Sequence, residues 1–376
     1  MLKRSDDGSV RASVMEGRDL AGLDPASWDH LASHALIDNP FYARQYLLAG
    51  LETIDRNRGV RALLLHDRSG RLVGLFPFRT PFGPFLARSA GNLYQFDGTP
   101  LIDRDHAEAA VNGLLRAMGD GTMPRIANLG HVYLDSTLVA LIDALAPAHG
   151  MTRLATNPYP RAFLTHRHGS FDRHAEAVLS RNRLKDIKRT LRRLQEMGDL
   201  RLEQVTEPEA VRARVEDFLT LENSGWKGQG GTSFAAAGAD AEFARLAFGG
   251  KAGREGLTQV DTLLLDGKPI ASNISIRSGA TAFTPKIAYD EALRKLSPGL
   301  ARDYLIIEAF YAQNDTLAID SAATNDHSVL LGLWDSQRQI GTLVLGPDDW
   351  RTRLVARVTV EFQRLKQWAK KLLKRG

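Results

Sequence analysis

Ala288-Tyr289-Asp290-Glu291, with Ser297-Pro298-Gly299 seven residues beyond Asp290, carries more information than any other stretch of this chain. It ends an apolar run, residues 281–288, that reads as a strand. Ser297 suits an N-cap and Pro298 the first helical position. Beyond them Leu300, Tyr304, Ile307, Phe310 and Tyr311 recur at helical spacing. Strand, short loop and capped helix leave backbone N–H groups at the helix start, expected here from Gly299, Leu300 and Ala301. The helix dipole points the same way, which suits a phosphate. Pro298 has no N–H to give, and Gly299 lets a ligand come close to the backbone. The same residues also suit a well-capped helix that binds nothing.

Four further motifs stand in order along the chain. Ser180-Arg181-Asn182-Arg183-Leu184-Lys185 lies in a basic helix expected from about Ala175 to Met197, with Gly198 as its stop. Leu221-Glu222-Asn223-Ser224-Gly225-Trp226-Lys227-Gly228 follows the end of another helix. Asp266-Gly267-Lys268-Pro269-Ile270-Ala271 is a hairpin turn, and Asp320-Ser321 leads on to Leu333-Trp334. Together with the Tyr289 to Gly299 pattern, this set resembles the acyltransferase domain of the CelD-like, FemAB-related branch of the GNAT superfamily, over roughly residues 170–345.

The resemblance implies an α/β fold with mixed α+β sheets, arranged as tandem GNAT-like acyltransferase domains. It implies acetyl-CoA or another acyl-CoA as co-substrate, held by Ser297, Pro298, Gly299, Leu300 and Ala301. Asp290 matches the motif beside the phosphate loop and is the first candidate base. Glu222 and Asp320 are further carboxylates, and Tyr289 or Tyr304 is a candidate acid for the departing thiolate, though a tyrosine at helical spacing also suits the core. Trp226, Lys227 and Asp320 fall on the substrate side. Each carboxylate also has a plain structural reading, as a helix cap or an arginine partner. Pro285 lies inside a strand pattern and so marks an edge or a bulge.

At 376 residues the chain is long enough for two domains. The pattern predicts a first domain at 1–160, a second at 171–346 and a basic amphipathic helix at 350–376. Residues 157–170, with two prolines and two histidines, read as a linker. There is no cysteine, which excludes disulfides, thiolate nucleophiles and cysteine metal sites. No Gly-x-Ser-x-Gly elbow is present, so a serine hydrolase has no support. The polar start carries no secretory signal, and the cytoplasm is the default compartment.

Net charge is +5, which mildly favours anionic partners. Arg181, Arg183, Lys185, Lys188, Arg189, Arg192 and Arg193 crowd one helix beside a Leu184, Ile187, Leu191, Leu194 stripe. A charge run of this kind is first of all a solvated face. In the final helix Arg364, Lys366, Lys370, Lys371, Lys374 and Arg375 flank Phe362, Leu365, Trp368 and Leu372, which suits the inner face of an anionic membrane and equally a helix packed on its domain with a polar outer face. His166 and His168 are spaced to share a strand face, with His174 nearby. No acidic or cysteine partner is read as completing a site with them, so no metal is assigned. A small-molecule or saccharide acceptor, from the cell envelope or an exopolysaccharide pathway, is what the resemblance implies. The rival readings are a FemX-like transferase using aminoacyl-tRNA, the one case in which nucleic acid is expected, and a non-catalytic module of an envelope machine.

Overall fold

The computed structural model describes residues 10–224, 234, 238–313, 315–324 and 329–373. The chain divides into two compact units, and chain order and unit do not coincide. The first unit takes residues 1–42, 57–160 and 338–376; the second takes 43–56 and 161–337.

In the first unit, β1 (Arg11–Glu16), β2 (Arg61–His66), β3 (Leu72–Arg79) and β4 (Leu86–Ser89) pair antiparallel in that order. A two-residue β5 (Leu101–Ile102) adds to β3. β4 then pairs parallel with β6 (Ile126–Tyr133), and β6 pairs antiparallel with β13 (Ser336–Pro347). β3 is buried along almost its whole length, as a central strand covered on both faces should be. Val111, Leu114, Leu115 and Met118 of α3 (Ala107–Gly119) and Leu138 and Ile142 of α4 (Thr137–Leu145) fill the core with Leu63, Val73, Phe76 and Leu129.

The second unit repeats that strand order. β8 (Leu200–Val205), β9 (Thr258–Leu265), β10 (Lys268–Ser278) and β11 (Thr281–Tyr289) pair antiparallel. β11 pairs parallel with β12 (Ala318–Asp320), which pairs antiparallel with the end of β7 (Met151–Thr165). Both units are therefore mixed α/β, with four antiparallel strands, one parallel step and one antiparallel strand: the tandem layout expected from the sequence. α9 (Pro298–Ala312) lies across the second sheet, with Tyr304, Ile307 and Phe310 packed on Ala162, Leu164 and Ile319.

Two expectations need correction. Residues 157–165 are strand, not linker: β7 runs unbroken to Thr165. Pro158 and Pro160 are two apart, so their missing N–H groups face the same edge and the other edge keeps its donors. The basic helix is also not continuous from residue 175. It breaks at Leu179 into α5 (Phe171–Val178) and α6 (Arg181–Gln195), because Ser180 turns extended and its hydroxyl accepts from the Arg183 N–H at 3.2 Å.

Candidate acyl-transfer site

The site begins at a fault in β11. Ile274 of β10 faces Lys286, yet Ile276 faces Phe283. One extra residue is accommodated on β11 at Thr284 and Pro285, which is the bulge that Pro285 suggested. The pairing of β11 with β12 covers only Thr281, Ala282 and Phe283. From Pro285 to Tyr289, β11 runs on past the end of its parallel neighbour. The Thr284 hydroxyl donates to the Asp320 carbonyl at 3.2 Å, where the two strands part.

The other wall is the start of α9. Asp290 caps a short 3-10 turn, Glu291–Leu296, its Oδ1 accepting from the Ala292 N–H at 2.9 Å. Ser297 then adopts φ 44° and ψ 54°, the left-handed region, and its side chain makes no cap bond, contrary to the N-cap role expected of it. The donor count also changes. Leu300 and Ala301 both donate to the Ser297 carbonyl, at 3.0 and 3.2 Å. These are the first bonds of the helix itself, since the fourth residue of a helix already has an intrahelical acceptor. Of the three expected donors, Gly299 is the one whose N–H falls ahead of that ladder.

Gly299 has ordinary backbone, and a Cβ there would meet only the Tyr289 ring, at 3.8 Å. The glycine is therefore not demanded by the fold, and its bareness leaves space at the helix start. Arg294 and Lys295 are exposed one turn earlier, a pair of cations that the motif reading passed over.

The remaining candidates are held by the fold. Glu222 is buried and its Oε2 accepts from the Phe234 N–H at 3.0 Å. Asp320 is fully buried beside Arg161, with ion-pair atoms 3.6 Å apart, and its Oδ1 accepts from the Ala322 N–H at 2.5 Å. Asp320 therefore has the arginine partner of its plain structural reading. Tyr289 is half-buried and packs with Leu293 and Leu296 against Leu194 and Ala301. Trp226 and Lys227 lie outside the described residues.

Residues 181–321 match the family model for the acetyltransferase (GNAT) domain. That match lies within the second unit, which thus carries the GNAT domain. Three solved structures share the fold of the chain at TM-scores of 0.53 to 0.55. FemX is 11% identical, with 86% of this chain and 96% of that chain covered, at 0.55. L-PGS from Bacillus licheniformis is 11% identical, with 95% and 99% covered, also at 0.55. A conserved protein of unknown function from Bacteroides thetaiotaomicron is 11% identical, with 86% and 97% covered, at 0.53. Among curated proteins, none matches the chain.

The GNAT domain holds polar groups that sequence spacing did not reveal. Arg302 is buried on α9, its Nη1 donating to the carbonyls of Ser272 at 2.6 Å and Ala288 at 3.4 Å. It fixes the last residues of β11 against the helix. Asp261 lines a cavity of about 30 Å³ with Gln204, Gln259 and Ser275 on one part and the apolar Ile306, Phe310 and Ile319 on another. Three side-chain amides, from Gln204, Gln259 and Asn273, donate to it, and burial pushes its carboxyl above the usual range.

His168, His174 and Asp335 also meet, with their ligand-capable atoms within 4.8 Å of one another. Asp335 is far away in sequence, so the histidine spacing alone gave no sign of it. The group is tied by its own bonds. His174 Nε2 donates to the Leu333 carbonyl at 2.9 Å, and the Thr165 N–H and hydroxyl donate to the two Asp335 oxygens at 3.0 Å each. This knot pins the end of β7 to the residues that lead into β13.

Proposed function

We propose that the chain transfers an acyl group from acyl-CoA, with acetyl-CoA as the simplest donor, to an amine or hydroxyl of a small-molecule or saccharide acceptor from cell-envelope or exopolysaccharide synthesis. The observation that carries this reading is the opening at the Pro285 bulge, where β11 leaves β12 and runs to a bare glycine at a helix start. An extended pantetheine arm suits such an opening, and its pyrophosphate suits the Gly299 N–H, the α9 dipole and the exposed Arg294 and Lys295. Asp290, beside the opening, takes the proton of the attacking acceptor. The acceptor forms its bond to the thioester carbonyl carbon, the C–S bond breaks, and the thiolate is protonated by the Tyr289 hydroxyl. Proton exchange with solvent returns both side chains to their starting state. FemX among the structural neighbours, with the exposed Arg181, Lys185, Lys188, Arg189, Arg192 and Arg193 of α6, supports a second reading in which the donor is aminoacyl-tRNA.

Calorimetry with CoA and acetyl-CoA tests the first reading. Wild type is expected to bind both. Gly299→Glu places bulk and negative charge where the phosphates would lie, and should abolish binding with little change in melting temperature. Asp290→Asn should still bind CoA, with turnover lowered by roughly 100-fold. Wild-type indifference to CoA together with co-purified tRNA would replace the first reading by the second. Indifference to both ligands would leave a non-catalytic module.

A further inference from the structure

We infer that the final helix seats this protein on an anionic lipid surface. α10 (Trp350–Leu373) presents two apolar strips rather than one. The inner strip is Thr352, Val355, Ala356 and Thr359, at the i, i+3, i+4, i+7 spacing of a single face. Thr352 and Ala356 are buried, Ala356 packs with Ile126 and Val344, and Thr359 accepts a bond from Asn128 Nδ2 at 2.9 Å. That strip accounts for the docking of the helix on its own unit.

The outer strip is Trp350 66%, Leu354 49%, Val358 56%, Phe362 54%, Leu365 62% and Trp368 62% exposed. At about 100° per residue it lies roughly 150° round the helix from the inner strip and extends about 27 Å along the axis. Single exposed apolar side chains are ordinary on a protein surface; six large ones on one face, with only the exposed Arg351 and Glu361 among them, mark a contact face.

Its charge says what it contacts. Residues 350–373 hold seven Lys and Arg against the single acid Glu361. Arg353, Arg357 and Arg364 border the strip on one side and Lys366 on the other, all exposed. Glu361 is already paired with Arg364 at 2.8 Å. A second copy of the same strip would bring like charges together along its length. Phospholipid headgroups of negative charge meet the basic margins while the apolar line sinks to the headgroup–acyl boundary, with a tryptophan near each end. Among the described residues no helix is long and apolar enough to cross a membrane, so the helix lies on the surface.

The test uses the full chain and co-sedimentation with vesicles of phosphatidylcholine alone and of phosphatidylcholine mixed with phosphatidylglycerol. Binding is expected to the mixed vesicles only, and to weaken with salt. Leu365→Asp lies on the exposed strip, so the melting temperature should hold while vesicle affinity falls by about tenfold or more. Arg357→Glu should also weaken binding, by at least roughly fivefold, the equivalent of about 1 kcal/mol per charge. Equal binding to neutral vesicles, no binding at all, or unchanged binding by Leu365→Asp would overturn the inference. So would a solution dimer that Leu365→Asp splits, which would give the strip to a second copy.

Discussion

Ser297 and His174 show how much of the site is decided at single residues, and how differently they could be foreseen. Ser297 stands in the left-handed region, which costs a residue with a Cβ about 1–2 kcal/mol. It is followed by a proline, which disfavours a helical conformation before it. The sequence showed a serine before proline and suggested a side-chain cap; backbone strain left no such trace. The places of Asp290 and Gly299 beside the helix start were legible because they are set by residues within one or two turns. Asp320, Asp261 and Asp335 were not, since their partners Arg161, Asn273 and Thr165 come from other strands. His174 carries a pH prediction. Burial lowers its pKa, against the opposing effects of the Leu333 carbonyl and Asp335, while His168 adds to the lowering. A group depressed in the folded state stabilises the fold above its unfolded value and loses that contribution as pH falls through the folded one. Melting temperature should therefore drop as pH falls below about 6.5, the ordinary histidine value. His174→Gln keeps a donor for the Leu333 carbonyl without taking a proton, and should flatten that slope. If the variant and wild type lose stability in parallel between pH 7.5 and 5, His174 is not the group responsible (~pH values set by the histidine range).

At the scale of elements, the strands of the GNAT domain and the helix after Ser297 were readable from periodicity, because each has one face in the core and one outside it. The break at Leu179 and the strand through Pro158 and Pro160 were not. In both places local breaker signals point one way and tertiary pairing the other. Pro285 is the instructive case, as its local meaning and its place in the sheet agree. The bulge it sits in lies just where the pairing with β12 stops, after Phe283. Deleting Pro285 removes the extra residue, so β11 pairs evenly with β10, Lys286 keeping Ile274 and Phe283 keeping Ile276. What is lost is the local bend and added twist that a bulge gives the strand just before Tyr289. The expected result is loss of detectable CoA binding by calorimetry in a protein that still melts cooperatively. Retention of wild-type CoA affinity would show that the bulge does not shape the site.

At the scale of the molecule, the strand order repeats between the units while their sequences share little, because the repeat lies in burial and pairing rather than in residue identity. What no local pattern announced is that residues 43–56 fold with the second unit. α2 (Arg44–Glu52) packs there on α8 (Gly238–Gly249): the Tyr46 ring meets Phe243 and Phe248 edge-on, with centroids 5.3 and 5.9 Å away. Gln45 Nε2 donates to the Ala247 carbonyl at 2.9 Å, and Glu52 pairs with Arg254 at 2.7 Å. A fragment of residues 161–337 contains the whole family match, yet lacks this cover over Phe243 and Phe248. Losing one buried aromatic partner alone costs about 3–5 kcal/mol, a large share of a domain's total stability of about 5–15 kcal/mol. The fragment should therefore be aggregation-prone or molten, with a broad thermal transition. Fusing residues 43–56 to it through a flexible linker should restore a cooperative one. A sharp, wild-type-like transition in the bare fragment would mean that α2 is a passenger on the second unit rather than part of its core.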